Sequence, residues 1–247
     1  MEALKKYWTL SPLKFIASSE VSRINPQDFF LHIEDLTQTF RSGPVQPSGL
    51  QSTGATNAHV YLELIKAPSS NYPVVIARCV LYENDDAPAS SEKLSENSAI
   101  YNWGPGYLKN QVQQFSILLE SKKKKSLYAP VKNEEKIKEL KDQTLYIPDY
   151  LIQKNLPKNQ SKEMAAKELL KEYKFKYQLI DSRELNNKIL DDAKGFYYFL
   201  YIKSGTDKYT AVCNSLTGEV IYSKYKPISY DIKTSDFKRL SRLVESR

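Results

Sequence analysis

The sequence predicts an α+β protein whose antiparallel β-sheets are each backed by a helix, and three observations carry that expectation. From Gly195 to Ile232, runs of β-formers alternate with turn residues, as in a meander of up to four strands. His59–Lys66 and Tyr72–Glu83 form a second strand pair around Ala67-Pro68-Ser69-Ser70-Asn71. Amphipathic helical patterns flank both regions.

Residues 1–24 form a short amphipathic opening, with Trp8, Leu10, Leu13, Phe15 and Ile16 broken by Ser11-Pro12. Asn25-Pro26-Gln27-Asp28 then reads as a helix start, with a capping side chain, Pro at the first helical position and a carboxylate in the first turn. Phe29, Ile33, Leu36 and Phe40 recur at helical spacing, so a helix is expected over 26–41, with His32 beside its apolar stripe. Ser42 to Asn57 is rich in Gly, Pro, Ser and Thr and reads as a surface loop before strands 59–66 and 72–83. Asn84–Asn97 is a polar loop and Tyr101–Tyr107 an aromatic turn. Residues 111–120 read as a third strand offering Val112, Phe115, Ile117 and Leu119 to a core. After the lysine run comes a charged helix, Glu134–Asp142, with Ile137 and Leu140 to bury. The polar stretch 154–162, containing Pro157, marks a boundary between an N-terminal half, 1–156, and a C-terminal half, 157–247.

In the second half Ser161 caps a helix over 161–173 that buries Ala165, Ala166, Leu169, Leu170 and Tyr173. Phe175–Ile180 reads as a strand and Ser182–Ala193 as a short helix or loop. Within the meander, 195–232, the run Phe196–Ile202 is apolar on both pleat faces, the mark of a central strand. Asn214-Ser215-Leu216-Thr217-Gly218 supplies a turn, and Ile228, Tyr230 and Ile232 alternate with polar residues as a fourth strand. The closing helix, 235–246, buries Phe237, Leu240, Leu243 and Val244. Tyr61, Ile65, Lys66, Tyr72 and Val75 match Tyr198, Ile202, Lys203, Tyr209 and Val212 at one constant offset. With a helix expected upstream of each hairpin, that points to two similar helix-plus-meander halves.

At 247 residues the chain is long enough to bury a sizeable core, and 26% charged residues is ordinary for a globular protein. Eighteen tyrosines are an excess, which suits sheet or binding surfaces. A net charge of +7 permits an acidic partner without requiring one. Cys79 and Cys213 both fall in expected strands and read as small buried hydrophobes; one bridge between them stays open, and a disulfide framework is excluded. No stretch is long and apolar enough to span a bilayer, and no signal peptide is visible. The expectation is a cytoplasmic protein if the chain is complete, and an envelope or secreted one if a leader has been removed.

The helix from Ser161 to Tyr173, the strand Phe175–Ile180, the Tyr-rich strand and the turn Asn214-Ser215-Leu216-Thr217-Gly218-Glu219-Val220 together resemble a PepSY-type module over about residues 160–225. In that family a helix precedes a small meander whose hairpin often carries Asp-x-x-Thr-Gly-Glu-Val. Here Asn214 stands in the Asp position and Ser182–Ala193 is extra. The resemblance implies a non-catalytic module, often at the cell envelope and associated with peptidase propeptides.

Motifs with a chemical mechanism are missing: there is no P-loop, G-x-G-x-x-G, H-E-x-x-H, C-x-x-C or G-x-S-x-G. The two histidines, His32 and His59, are far apart in sequence, and neither a metal site nor a cofactor site is expected. Cys79 with His59 is the best candidate thiol and base, but no orienting group or oxyanion turn accompanies it. Glu83, Asp85 and Asp86 lack calcium-loop spacing, and Asn159-Gln160-Ser161 fits a glycosylation acceptor whose Ser is already explained as a cap. The expected function is therefore non-enzymatic: a protein-binding or scaffold component of a larger assembly, with Tyr197, Tyr201 and Tyr225 as contact rings. The competing account has those rings filling the protein's own core. One alternative is a single-stranded nucleic-acid surface made by Lys122, Lys123, Lys124, Lys125 and Tyr128, and another is a peptidase-inhibitor-like envelope module.

Overall fold

A computed structural model describes residues 2–17, 19–20, 25, 27–41, 53–67, 74–83, 100–122, 124–153, 156, 159–191 and 193–246. The fold is α+β, with two antiparallel-rich sheets and helices packed on both. Strands β1 (Phe29–Arg41), β2 (Thr53–Lys66) and β3 (Val74–Leu81) form a three-stranded antiparallel sheet in that order. A six-stranded sheet has the order β4-β9-β8-β7-β5-β6. Its strands are β4 (Val131–Lys132), β5 (Leu145–Pro148), β6 (Tyr177–Ile180), β7 (Tyr197–Ser204), β8 (Asp207–Asn214) and β9 (Val220–Lys226). The helices are α1 (Glu2–Tyr7), α2 (Pro105–Ser121), α3 (Glu134–Lys138), α4 (Tyr150–Gln153), α5 (Lys162–Leu170), α6 (Ser182–Asp191) and α7 (Thr234–Glu245).

Two expectations exchange places. Residues 26–41 do not form a helix: the described part is β1, paired with β2 from Phe29↔Lys66 onward. Asn25 does cap, but it caps a turn, its Oδ1 accepting from Gln27 N at 2.9 Å. Two of the residues at helical spacing, Phe29 and Ile33, also alternate with Leu31 between them, whereas Leu36 and Phe40 fall on the opposite parity. The β-branched Thr37 and Thr39 favour the strand once β2 supplies a long partner. Residues 111–120, expected as a strand, lie within α2. Pro105 occupies its first turn, and Leu108, Val112 and Phe115 recur at i, i+4 and i+7 as one buried stripe.

In the C-terminal region α5 and α7 form where helices were expected, and Ser161 Oγ accepts from Met164 N at 3.3 Å as the cap of α5. The meander has three strands rather than four. After β9, Ile228 takes a positive φ of 50° and is 87% exposed, and Ser229 N donates to Thr206 O, so residues 228–232 wrap the β7–β8 turn instead of pairing. The six-stranded sheet takes β4 and β5 from before residue 156, so the expected 1–156/157–247 division does not separate the two sheets. Nor do the two hairpins match as repeats expect, because the helix on the three-stranded sheet, α2, follows its hairpin in the chain.

Three apolar clusters hold these layers. One joins α7 (Phe237, Leu240, Val244) to the face of the large sheet carrying Tyr197, Phe199 and Tyr201, and it reaches Tyr61, Val80 and Tyr82 of the three-stranded sheet region. A second covers the opposite face, placing Leu185 and Ile189 of α6 on Tyr198 and Cys213. The third packs Leu108, Val112 and Phe115 of α2 on Leu62, Leu64, Ala77 and Leu81. Each fully buried large side chain contributes about 1.5–3 kcal/mol.

Helix α2 connects the clusters through polar contacts as well. Gly104, at its start, offers no side-chain cap; Asn186 of α6 supplies one, its Oδ1 accepting from Gly106 N at 2.9 Å and Tyr107 N at 3.4 Å. In return Lys109, 2% exposed, donates to Ile189 O near the end of α6 at 2.8 Å, where a cation complements the helix dipole. Asn110 donates to Ser215 O at 2.8 Å and accepts from Tyr198 OH at 3.0 Å, which ties α2 to the β8–β9 turn. That turn needs Gly218: its φ is +71°, and a Cβ there would lie 2.6 Å from Asn110 O.

Asn186→Ala is expected to lower stability by about 1–2 kcal/mol in urea unfolding, the usual worth of a cap. Gly106→Ala, whose Cβ would fall 2.0 Å from Asn186 O, is expected to cost more, and a wild-type midpoint for it would contradict the α2–α6 packing.

Candidate functional site: a cleft between the two sheets

The last two turns of α2 outrun the cluster that buries its first half, and Ile117 is 44% exposed. Across from Gln114–Ser121, five consecutive residues of β3, Val75 to Cys79, form the facing wall, and residues 125–133 with Val220 and Ser223 of β9 form the third. The space between has a volume of about 680 Å³, within the range of small-ligand and peptide pockets. Its apolar lining comes from Val75, Ile76, Ala77, Phe115, Ile117 and Leu118.

Most of the charged lining is already neutralised. Arg78 Nη2 contacts Glu63 Oε1 at 2.7 Å and its guanidinium lies 4.8 Å from the Tyr61 ring centroid; Lys132 pairs with Glu134 at 2.7 Å, and Glu219 with Lys136. Lys125 has no such partner among the described residues, nor have Lys122 and Lys124 beside it. Lys122 is the C-cap of α2 and takes a left-handed conformation, so the run begins where a helix dipole favours cations. Lys123 lies outside the described residues. Tyr128, 44% exposed, packs its ring against Tyr225 at 4.4 Å and contacts Tyr61 OH at 3.3 Å.

The expected contact rings fare differently from one another. Tyr197 and Tyr201, each 2% exposed, are core residues, because β7 is covered on both faces; this corrects their assignment to a partner surface. Burial, then the bond it donates to Glu139 Oε2 at 2.8 Å, raises the Tyr197 pKa. Tyr225 is partly buried and donates to Asp207; burial first and that carboxylate second raise its pKa.

Cys79 lines the cleft, and Cys213 is buried beneath the sheet; both are free thiols. Burial pushes each up to about 12, so neither is a thiolate at neutral pH. The Cys79–His59 pair is not assembled: Cys79 Sγ points to Gln114 Oε1 at 3.8 Å, whereas His59 Nδ1 lies 2.6 Å from Ser204 Oγ. That Ser204–His59 contact was not legible in the sequence, where Ser204 only ends a strand. It borders a void of about 10 Å³, room for about one water, and the nearby Asp207 is engaged by Tyr225 and by Ile228 N. His32, on β1 rather than a helix, sits between Glu34 and Glu63, 3.7 Å from each. Among the described residues no group of three or more His, Cys, Asp and Glu gathers to hold a metal ion, and no helix is long and apolar enough to cross a membrane. Asp85 and Asp86 lie outside the described residues.

The cleft itself escaped sequence reasoning because α2 was read as a strand. The signal that marks it is Leu108, which extends the spacing of Val112 and Phe115 to a full helical stripe. Compared with family models, curated proteins and solved structures, the chain matches none.

At pH 8, alkylation of Cys79 and Cys213 in the folded protein is expected to run about a thousandfold slower than in the denatured chain, and to accelerate as pH rises. The folded state holds these protons longer than the unfolded state. Their contribution to stability is therefore full below about pH 8.5 and declines as pH climbs toward about 12, which urea midpoints measured across that range will register.

Proposed function

We propose that this protein is a non-enzymatic protein-binding component whose contact site is the cleft walled by α2, β3 and β9, in place of the tyrosine-bearing face of the large sheet. The observation that carries the reading is the cleft's composition: an apolar interior of peptide-sized volume, bordered by charges of which all but Lys125 are paired within the chain. Catalysis would need an activated group there. The cleft thiol stays protonated at neutral pH, and the cleft's carboxylate, Glu219, is held by Lys136 and by Asn133 Nδ2 at 3.3 Å. The PepSY-type likeness, a helix followed by a meander over α5 to β9, fits the same non-catalytic class and stands as part of this proposal.

The test is affinity capture from the native source with three baits: the wild type, Ile117→Asp in the cleft and Met164→Asp on the exposed face of α5. A stoichiometric protein partner retained by wild type and Met164→Asp but reduced about tenfold or more by Ile117→Asp is the expected result. Equal recovery on all three baits would remove the cleft from the binding site.

A further inference from the structure

The outer edge of β3 is the most unusual element bordering the cleft. β3 is the end strand of its sheet, and Val74-Val75-Ile76-Ala77-Arg78-Cys79-Val80-Leu81 carries a single charge, Arg78, already engaged by Glu63. Sheet edges are ordinarily protected by charged residues, proline or a covering element, since unpaired backbone groups recruit further strands.

This edge is closed at one end only. Asn102, 2% exposed, acts as a substitute strand: its Oδ1 accepts from Tyr82 N at 2.7 Å and its Nδ2 donates to Val80 O at 3.0 Å, while Tyr101 N donates to Tyr82 O at 2.8 Å. The outward-facing backbone groups are therefore those of Val80 and Tyr82. Because N–H and C=O directions alternate along a strand, the next outward residue is Arg78. Among the described residues no backbone hydrogen bond closes the edge there, and it opens into the cleft.

We propose that the cleft receives an extended, acidic segment of a partner protein, which adds to β3 as a fourth strand. This rests on the cleft reading above and names how the partner is held. The segment's backbone pairs with Arg78, and its alternate apolar side chains enter the lining formed by Ala77, Phe115, Ile117 and Leu118. Its acidic side chains meet Lys125, which lines the cleft, and Lys122 and Lys124 beside it, none of which has an ion partner among the described residues. Charge selects the sign of the ligand, and the open edge selects a polypeptide. A nucleic acid would stack its bases on exposed rings, and Tyr128 beside the lysines, although 44% exposed, has its ring packed against Tyr225.

The probe is a fluorescent synthetic peptide of about eight residues, the length of β3, alternating valine with glutamate. Saturable binding to the full-length protein is expected, weakened by added salt and by about tenfold or more in K122E/K124E/K125E. Methylating the peptide's outward amide nitrogens should weaken binding to a similar extent, because each lost backbone bond removes part of the affinity. In hydrogen exchange, the Arg78 amide should be unprotected in the free protein and slow on binding. Absence of saturable binding, equal affinity for a valine–lysine peptide, indifference to amide methylation, or displacement by an oligo-dT strand or an anionic vesicle would each overturn the proposal. So would an Arg78 amide already protected without peptide. If a captured partner depends on Ile117 yet leaves Arg78 exchange unchanged, strand addition fails while the cleft reading stands; if Ile117→Asp changes nothing, the cleft reading itself fails.

Discussion

The architecture depends on one helix segment that has no side facing water. From Gly106 to Val112 every residue of α2 is buried, so each direction around the helix must meet a different neighbour. Leu108 and Val112 meet the three-stranded sheet, Tyr107 the outer face of the large sheet, Lys109 the end of α6, Asn110 the β8–β9 turn and Gln111 the Asn102 carbonyl. Buried polar groups are costly unless bonded, and a rotated or shifted α2 would strand Lys109, Asn110 and Gln111 together. The apolar residues supply most of the stabilisation, and the polar ones make a single docking angle tenable. Because the same helix continues as a wall of the cleft, the geometry of that cleft is set by contacts two turns away.

A comparable device fixes α7. Lys208, 2% exposed, pairs with Asp236 at 2.5 Å and donates to Asp231 O, while Asp236 also accepts from Lys233 N at 2.9 Å to cap the helix. Such a pair contributes little net stability after desolvation, but removing one member leaves a buried charge without compensation. It locates the start of α7 over the sheet on which Phe237, Leu240 and Val244 pack.

What could be read from residues and what could not divides along physical lines. Where one periodicity was available, as in α5, α7 and the first three strands of the meander, local pattern and tertiary outcome agree. Phe29, Ile33, Leu36 and Phe40 carry the helical spacing while only Phe29, Leu31 and Ile33 alternate, and the arbiter was β2, a partner no local window contains. In α2 the strand reading began at Gln111 and so cut the stripe after Leu108, leaving Val112, Phe115, Ile117 and Leu119 to imitate alternation. The tyrosines hold a different lesson. Phe196 to Ile202 was recognised as apolar on both pleat faces, and that alone requires Tyr197 and Tyr201 to be covered by the protein itself. The cleft was beyond local reading, since its walls come from segments near residues 77, 117, 131 and 220.

Strand β4 also has a temporal meaning. Val131 pairs with Ser223, and its N–H donates to the Ser223 hydroxyl 92 residues away. A ribosome adding about 5–20 residues per second leaves β4 waiting several seconds for its neighbour to emerge. Until then α2 and β3 can pack, but the third wall has nothing to lean on. The cleft's third wall is thus completed only once β9 has been made, well after α2 and β3.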